Sequence, residues 1–334
     1  MSADLSTNTA QMEEQFAFTC AYEEDRIPPR DPEADQLFQN ANWRYKKNLL
    51  AEDPVVHAEV ERLYRIATAW GHDKAAYHLA FMMMRGYTTH SDRIAKPVSI
   101  AERLIGRGIP GGYCLMGYLL DIGYGVEKDS NASLQYFRKA ADLGDPEAQA
   151  FVGEQLHSMG IQNPAPYKAG RAMKRCAADQ GHAQSAIDTA IGLKKRKQYD
   201  EALKYFQLAA RAGSPKGANW LRHAFSGPAP DDRLNYMGQD RDEERAARYE
   251  RLWDILSSYD FLPATVEEID RIVPLPPAEL PAWDGQIEWV KKWEQDLAPP
   301  LPAEARIRKM ARAKGLDPET GLPRRRAASK PPPG

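Results

Sequence analysis

Little in this chain points to chemistry. It has only three cysteines, Cys20, Cys114 and Cys176, in 334 residues. The number is odd and the spacing gives neither a metal motif nor a redox Cys-x-x-Cys. Three thiols in a reducing compartment are expected, with Cys114 and Cys176 packed inside helices. No apolar run approaches the roughly 18 residues that a transmembrane helix needs. Neither sign of charge is in excess: 45 lysines and arginines face 47 acids, for a net charge of −2. Composition therefore argues against a nucleic-acid or anionic-membrane partner. The opening Met-Ser-Ala-Asp-Leu-Ser-Thr has no basic n-region and no apolar h-region. A cytoplasmic protein is expected, or a periplasmic one if a signal peptide has been removed.

Catalytic motifs are missing as well. Among the seven histidines no pair has the spacing of a zinc site. No dinucleotide fingerprint, P-loop or nucleophile elbow occurs. Acidic pairs such as Glu267-Glu268 lie in polar runs and read as solvated charge. A Cys–His dyad built on Cys114 or Cys176 would be a hydrolase's machinery, but neither cysteine has an activating neighbour in sequence. No cofactor, no metal and no enzymatic activity are expected.

What the chain does have is self-similarity. Two small residues, two variable ones and a glycine recur as Ala67-Thr-Ala-Trp-Gly71, Ala140-Ala-Asp-Leu-Gly144, Ala177-Ala-Asp-Gln-Gly181 and Ala209-Ala-Arg-Ala-Gly213, with a weaker copy ending at Gly108. The glycines step by 37, 36, 37 and 32 residues. A period of that length marks a stacked array of helical hairpins. The shorter last step follows from a charged turn, Lys194-Lys-Arg-Lys197, in place of a longer loop; the cluster reads as solvated.

Five segments are expected. Residues 1–30 form a flexible leader, although Phe16, Phe18 and Tyr22 could dock on the array. Residues 31–54 hold a capping helix, because Asp31-Pro32 supplies an N-cap acid followed by proline at the first helical position. Residues 55–225 are the repeat array. Residues 226–321 form a C-terminal cap with a proline- and tryptophan-rich extension, since Tyr249, Leu252, Trp253 and Leu256 make an apolar stripe on a helix and a solenoid end must be covered. There, Trp253, Trp283, Trp289 and Trp293 are expected to build a small core folded back on the last hairpin. Residues 322–334 are a disordered tail.

The clearest repeat carries Leu115-Met-Gly117, Gly123-Tyr-Gly125-Val126, Asp129 through Ala132, Ala140-Ala141 and Gly144. It resembles the Sel1-like repeat family, a relative of the tetratricopeptide repeat. The resemblance covers roughly residues 55–225. It implies an all-α, right-handed α-solenoid of hairpins and a role in protein–protein contact. In tetratricopeptide-like geometry the first helix of each hairpin lines the concave face. Register then points Phe81, Met84, Tyr118, Asp121, Glu154, His157 and Lys194 into a groove suited to a protein partner.

The leader motif Ile27-Pro-Pro-Arg-Asp-Pro-Glu-Ala-Asp35 and the later Val273-Pro-Leu-Pro-Pro-Ala-Glu-Leu-Pro-Ala-Trp-Asp-Gly285 add a second resemblance. Together with the repeats they look like bacterial immunity proteins for interbacterial toxins, including those of type VI secretion. That implies a non-enzymatic protein that binds and occludes a secreted effector. The alternative is a scaffold or adaptor in signalling or envelope assembly.

Overall fold

The computed structural model describes residues 12–324 apart from Thr89 and Pro263. The fold class is all-α as expected: no β-strand forms among the described residues, where the sole pairing of that kind is an isolated bridge between Leu316 and Pro323. The first helices are α1 (Pro32–Lys47), α2 (Pro54–Ala69), α3 (Asp73–Met84), α4 (Ala95–Gly106) and α5 (Pro110–Ile122). Then come α6 (Ser130–Leu143), α7 (Pro146–Ser158), α8 (Pro164–Asp179), α9 (Ala183–Lys195), α10 (Tyr199–Arg211) and α11 (Pro215–Phe225). The last are α12 (Glu243–Ser258), α13 (Ile269–Ile272), α14 (Glu288–Glu294) and α15 (Glu304–Ala313).

The recurring motif is a stop signal and a start signal in one. At its glycine the chain enters the left-handed region, with φ of 86° at Gly71 and 91° at Gly213. The N–H of the next residue then reaches back to the first alanine of the motif. His72 donates to Ala67, Asp145 to Ala140, His182 to Ala177 and Ser214 to Ala209, all at 2.9–3.1 Å. This Schellman closure satisfies a helix-end carbonyl. The same next residue usually caps the following helix. His72 Nδ1 accepts from the Ala75 N–H at 3.0 Å, Asp145 Oδ1 from Ala148 at 2.8 Å and His182 Nδ1 from Ser185 at 3.1 Å. Asp31 and Asp53 cap α1 and α2 in the same way.

The chain divides into two compact units. The first joins Ile27–Ser130 to the chain from Ala298 onward. Its core includes Leu37, Phe38, Leu63, Tyr64, Leu79 and Met83. Arg62, 6% exposed, fastens the returning C-terminal segment. Its Nε donates to the Pro318 carbonyl at 2.6 Å, and its Nη2 meets Glu304 at 2.6 Å. Trp70 Nε1 donates to the Met310 carbonyl at 3.2 Å, and Asn40 Nδ2 to that of Pro299 at 2.7 Å. Thus α15, with Ile307, Met310 and Ala311 buried, covers the N-terminal helices.

The second unit joins the chain up to Arg26 to Asn131–Leu297. Here the expectation of three thiols is corrected. Cys20 and Cys176 form a disulfide, with Cα atoms 5.7 Å apart across 156 residues of sequence. Linear spacing carries no trace of it, because the fold lays the leader along α8. The Glu23 N–H donates to Gln180 Oε1 at 2.8 Å, and Gln149 Nε2 donates to the Ala21 carbonyl at 2.9 Å. Cys114, in the first unit, is buried in α5. At the other end, Tyr249, Leu252 and Leu256 of α12 are buried as their stripe requires, and Tyr249 stacks on Phe225 at 5.8 Å. Trp253, Trp283 and Trp289 pack half-buried against the core of α9–α13. The first eleven residues and those beyond 324, where the tail was expected, lie outside the described residues.

Gly213 and Gly181 share a left-handed φ, of 91° and 90°, yet differ in surroundings. A Cβ at Gly213 would lie 1.9 Å from the Ala264 carbonyl oxygen, whereas one at Gly181 would meet nothing within 4 Å. Gly181→Ala is therefore expected to cost about 1 kcal/mol, the left-handed penalty alone. Gly213→Ala should cost roughly 3 kcal/mol, because the backbone must shift too. Urea unfolding of the two variants checks this; equal losses would show that the contact with Ala264 does not constrain the fold.

Candidate functional site

The second unit contains a cleft of about 940 Å³ between α7, α8 and α9. It begins with two glycines. A Cβ on Gly170 of α8 would lie 2.6 Å from both the Gly153 carbonyl oxygen and the His157 nitrogen of α7. Only glycine permits that approach, so the two helices touch backbone to backbone. One turn further along α8, Lys174 is carried between α7 and α9 and is 6% exposed. Its ammonium bonds to Glu154 and lies 2.7 Å from Asp188. Burial pulls the Lys174 pKa down, but the two carboxylates outweigh it and hold it above the ordinary lysine value.

Around this buried ion cluster the rim is basic. Lys168, Arg171 and Arg175 follow one another at i, i+3 and i+7, which places them on one exposed face of α8. Lys195 and Arg196 face them from the end of α9. The lining thus holds six cationic side chains, Lys174 included, against two carboxylates. The crowding is felt by Arg196, whose pKa is lowered first by burial and then by the neighbouring Arg171. His157 stacks on Tyr167 at 4.8 Å, and burial, followed by nearby Lys174, lowers its pKa, which leaves it neutral at pH 7. Ile161, 77% exposed, supplies an apolar lip.

The structure distributes the seven groove residues over both units. Glu154 and His157 line this cleft together. Lys194 points elsewhere: its Nζ donates to the Arg233 carbonyl at 2.7 Å and lies 5.6 Å from the Trp220 ring centre. The other four belong to the first unit. Phe81 packs on Tyr77 at 4.8 Å and meets Tyr118 edge-on at 5.7 Å. Met84 is half-buried and Asp121 is exposed. Reading by register overlooked the basic face of α8, although the spacing of Lys168, Arg171 and Arg175 was available as a signal.

Among the described residues, no cluster of histidine, cysteine and acids is arranged to hold a metal ion. Cys176 is bonded to Cys20 and so cannot serve as the nucleophile of a Cys–His dyad. A smaller cavity of about 580 Å³ near α13 and α14 has charges that pair locally, such as Lys291 with Asp284 at 2.9 Å. No helix among the described residues is long and apolar enough to cross a membrane.

The hairpin chemistry and the closures at each glycine define a repeat protein, and the chain carries Sel1 repeats: the Sel1 repeat model matches residues 110–145, 146–182 and 190–214. A second model, a domain of unknown function (DUF6396), matches residues 217–324. Among solved structures, the chain is similar to Pseudomonas aeruginosa 5086 (PA5086), at 25% identity and a TM-score of 0.56, covering 78% of this chain and 95% of that one. It is similar also to the immunity protein Pa5087 from Pseudomonas aeruginosa, at 25% identity and a TM-score of 0.53 over the same shares. The fold is shared as well with the immunity protein PA5088 of that organism, at 24% identity and a TM-score of 0.56, covering 78% of this chain and 94% of that one. No curated protein matches the chain.

Lys174 gives a test of the site's construction. Its folded pKa lies above the unfolded value of about 10.4. The stabilisation is therefore complete below that pH and is lost only as pH rises through the folded value. Lys174→Ala is expected to cost about 2 kcal/mol at neutral pH, less than a fully buried pair because both carboxylates retain some solvent. Chemical unfolding between about pH 6 and 9 should show a constant gap from wild type. A negligible gap would mean that the ion cluster does not hold α7, α8 and α9 together.

Proposed function

We propose that this chain is an immunity protein, a non-enzymatic binder that grips one cognate interbacterial toxin and occludes it. The observation that carries the reading is the likeness to the immunity protein Pa5087, over 95% of that protein's length. The physical properties of the second unit support it. Its charged cleft is assembled on packed helices, so little conformational entropy is lost when a partner binds. An excess of cations on the rim favours fast, charge-steered association with an acidic surface. Occlusion needs no catalytic group, only a complementary surface large enough to cover the toxin's working site.

The cysteines support one compartment over the other. A disulfide that fastens the leader to α8 persists in an oxidising environment, which supports the periplasm as the place of action. Cells quenched with acid and alkylated should yield Cys20 and Cys176 as one cross-linked peptide by mass spectrometry. Alkylation of both thiols would place the protein in a reducing compartment.

The binding reading is tested by purifying the tagged protein from its native cells and identifying what accompanies it. One stoichiometric partner, toxic when expressed alone and harmless when co-expressed with this protein, is the expected outcome. Several unrelated housekeeping partners would contradict neutralisation and favour a scaffold.

A further inference from the structure

The cleft of α7–α9 has a charge balance that its own unit does not satisfy. Glu154 and Asp188 are both spent on Lys174. Arg175 has Glu201 at 3.1 Å. Lys168, Arg171, Lys195 and Arg196 have no carboxylate partner among the described residues. Four cations thus crowd the rim of one cavity, a self-repulsion that an incoming anion relieves.

The kind of anion is narrowed by the rest of the wall. Ile161 on the cleft wall is 77% exposed, an apolar lip unsuited to a free ion. Tyr167 is already stacked on His157, and the Arg171 guanidinium lies 5.9 Å from its ring centre. That leaves no open aromatic platform of the sort on which nucleic-acid bases stack. Carboxylates, by contrast, already enter this wall, where two of them converge on Lys174. We infer that the cleft receives an acidic segment of the partner protein, carboxylates against Arg171 and Lys195 and an apolar side chain on Ile161.

This assignment rests on the partner-binding reading and specifies the partner's chemistry. The probe is a dye-labelled peptide of glutamates interspersed with leucine, titrated with the full chain by fluorescence anisotropy. Binding is expected, with release near 1 M salt, where the screening length is about 3 Å. Lys168→Glu/Arg171→Glu/Lys195→Glu should weaken it roughly tenfold or more. The control Lys139→Glu/Lys204→Glu/Lys216→Glu carries the same charge change outside the cleft and should stay within about twofold of wild type. The neutral pair Arg171→Gln/Lys195→Gln, checked for native melting, guards against damage from reversal and should weaken binding as well.

Equal losses in the two triple variants, or no binding by wild type, would overturn the assignment. So would a single-stranded RNA that competes as well as the peptide, since it would mark a general polyanion site. If both triple variants still capture the co-purified partner equally, the cleft is rejected while the binding reading survives. If wild type captures no partner, the reading itself fails and takes the assignment with it.

Discussion

The second unit depends on one contact, the backbone-to-backbone approach of α7 and α8 at Gly153 and Gly170. A Cβ at Gly170 would lie 2.6 Å from the backbone of α7, and one at Gly153 would crowd α8 at 3.0 Å. Because the helices close to that distance, Lys174 is drawn out of solvent and must find carboxylates on both sides. Glu154 and Asp188 provide them, so an apolar packing requirement ends by fixing an ionic arrangement. The exposed cations of α8 are then held on a defined rim, on helices and not on loops. Steric economy at two glycines thus becomes electrostatic character at the surface.

Long-range fastening is the second theme, and each unit shows it internally. In the first, Arg62 gathers Glu59, Glu304 and the Pro318 carbonyl around one guanidinium. Its planar fork suits several acceptors at once. In the second, the Cys20–Cys176 disulfide does covalently what Gln149 and Gln180 do by hydrogen bonds, and the leader becomes part of the packed structure. A repeat array has exposed ends by construction; in the first unit the remote C-terminal segment covers the N-terminal helices, and in the second the leader is laid along α8.

Much of this was legible in the amino-acid sequence because it is local. A glycine after a pair of small residues, followed by histidine or aspartate, encodes helix end and helix start within six positions. The caps at Asp31 and Asp53 and the buried stripe of α12 could be read for the same reason. The rest is non-local. No spacing rule links Cys20 to Cys176. The docking of α15 is written in Ile307, Met310 and Ala311, a legible stripe, but its target on α1 and α2 is not. Of the residues that register pointed to a groove, Glu154 and His157 line the cleft, while Lys194 donates to the Arg233 carbonyl. The basic face of α8 went unread because attention to the first helix of each hairpin passed over the second.

The central claim is that the α7–α9 cleft, shaped by the Gly153–Gly170 contact, is where a protein partner is gripped. Hydrogen–deuterium exchange of the full chain, alone and saturated with its co-purified partner, tests it most directly. Protection on binding is expected to concentrate in residues 154–196, including the lip at Ile161 and the turn at Arg196. Protection confined to other helices, with these residues exchanging as in the free protein, would contradict the account.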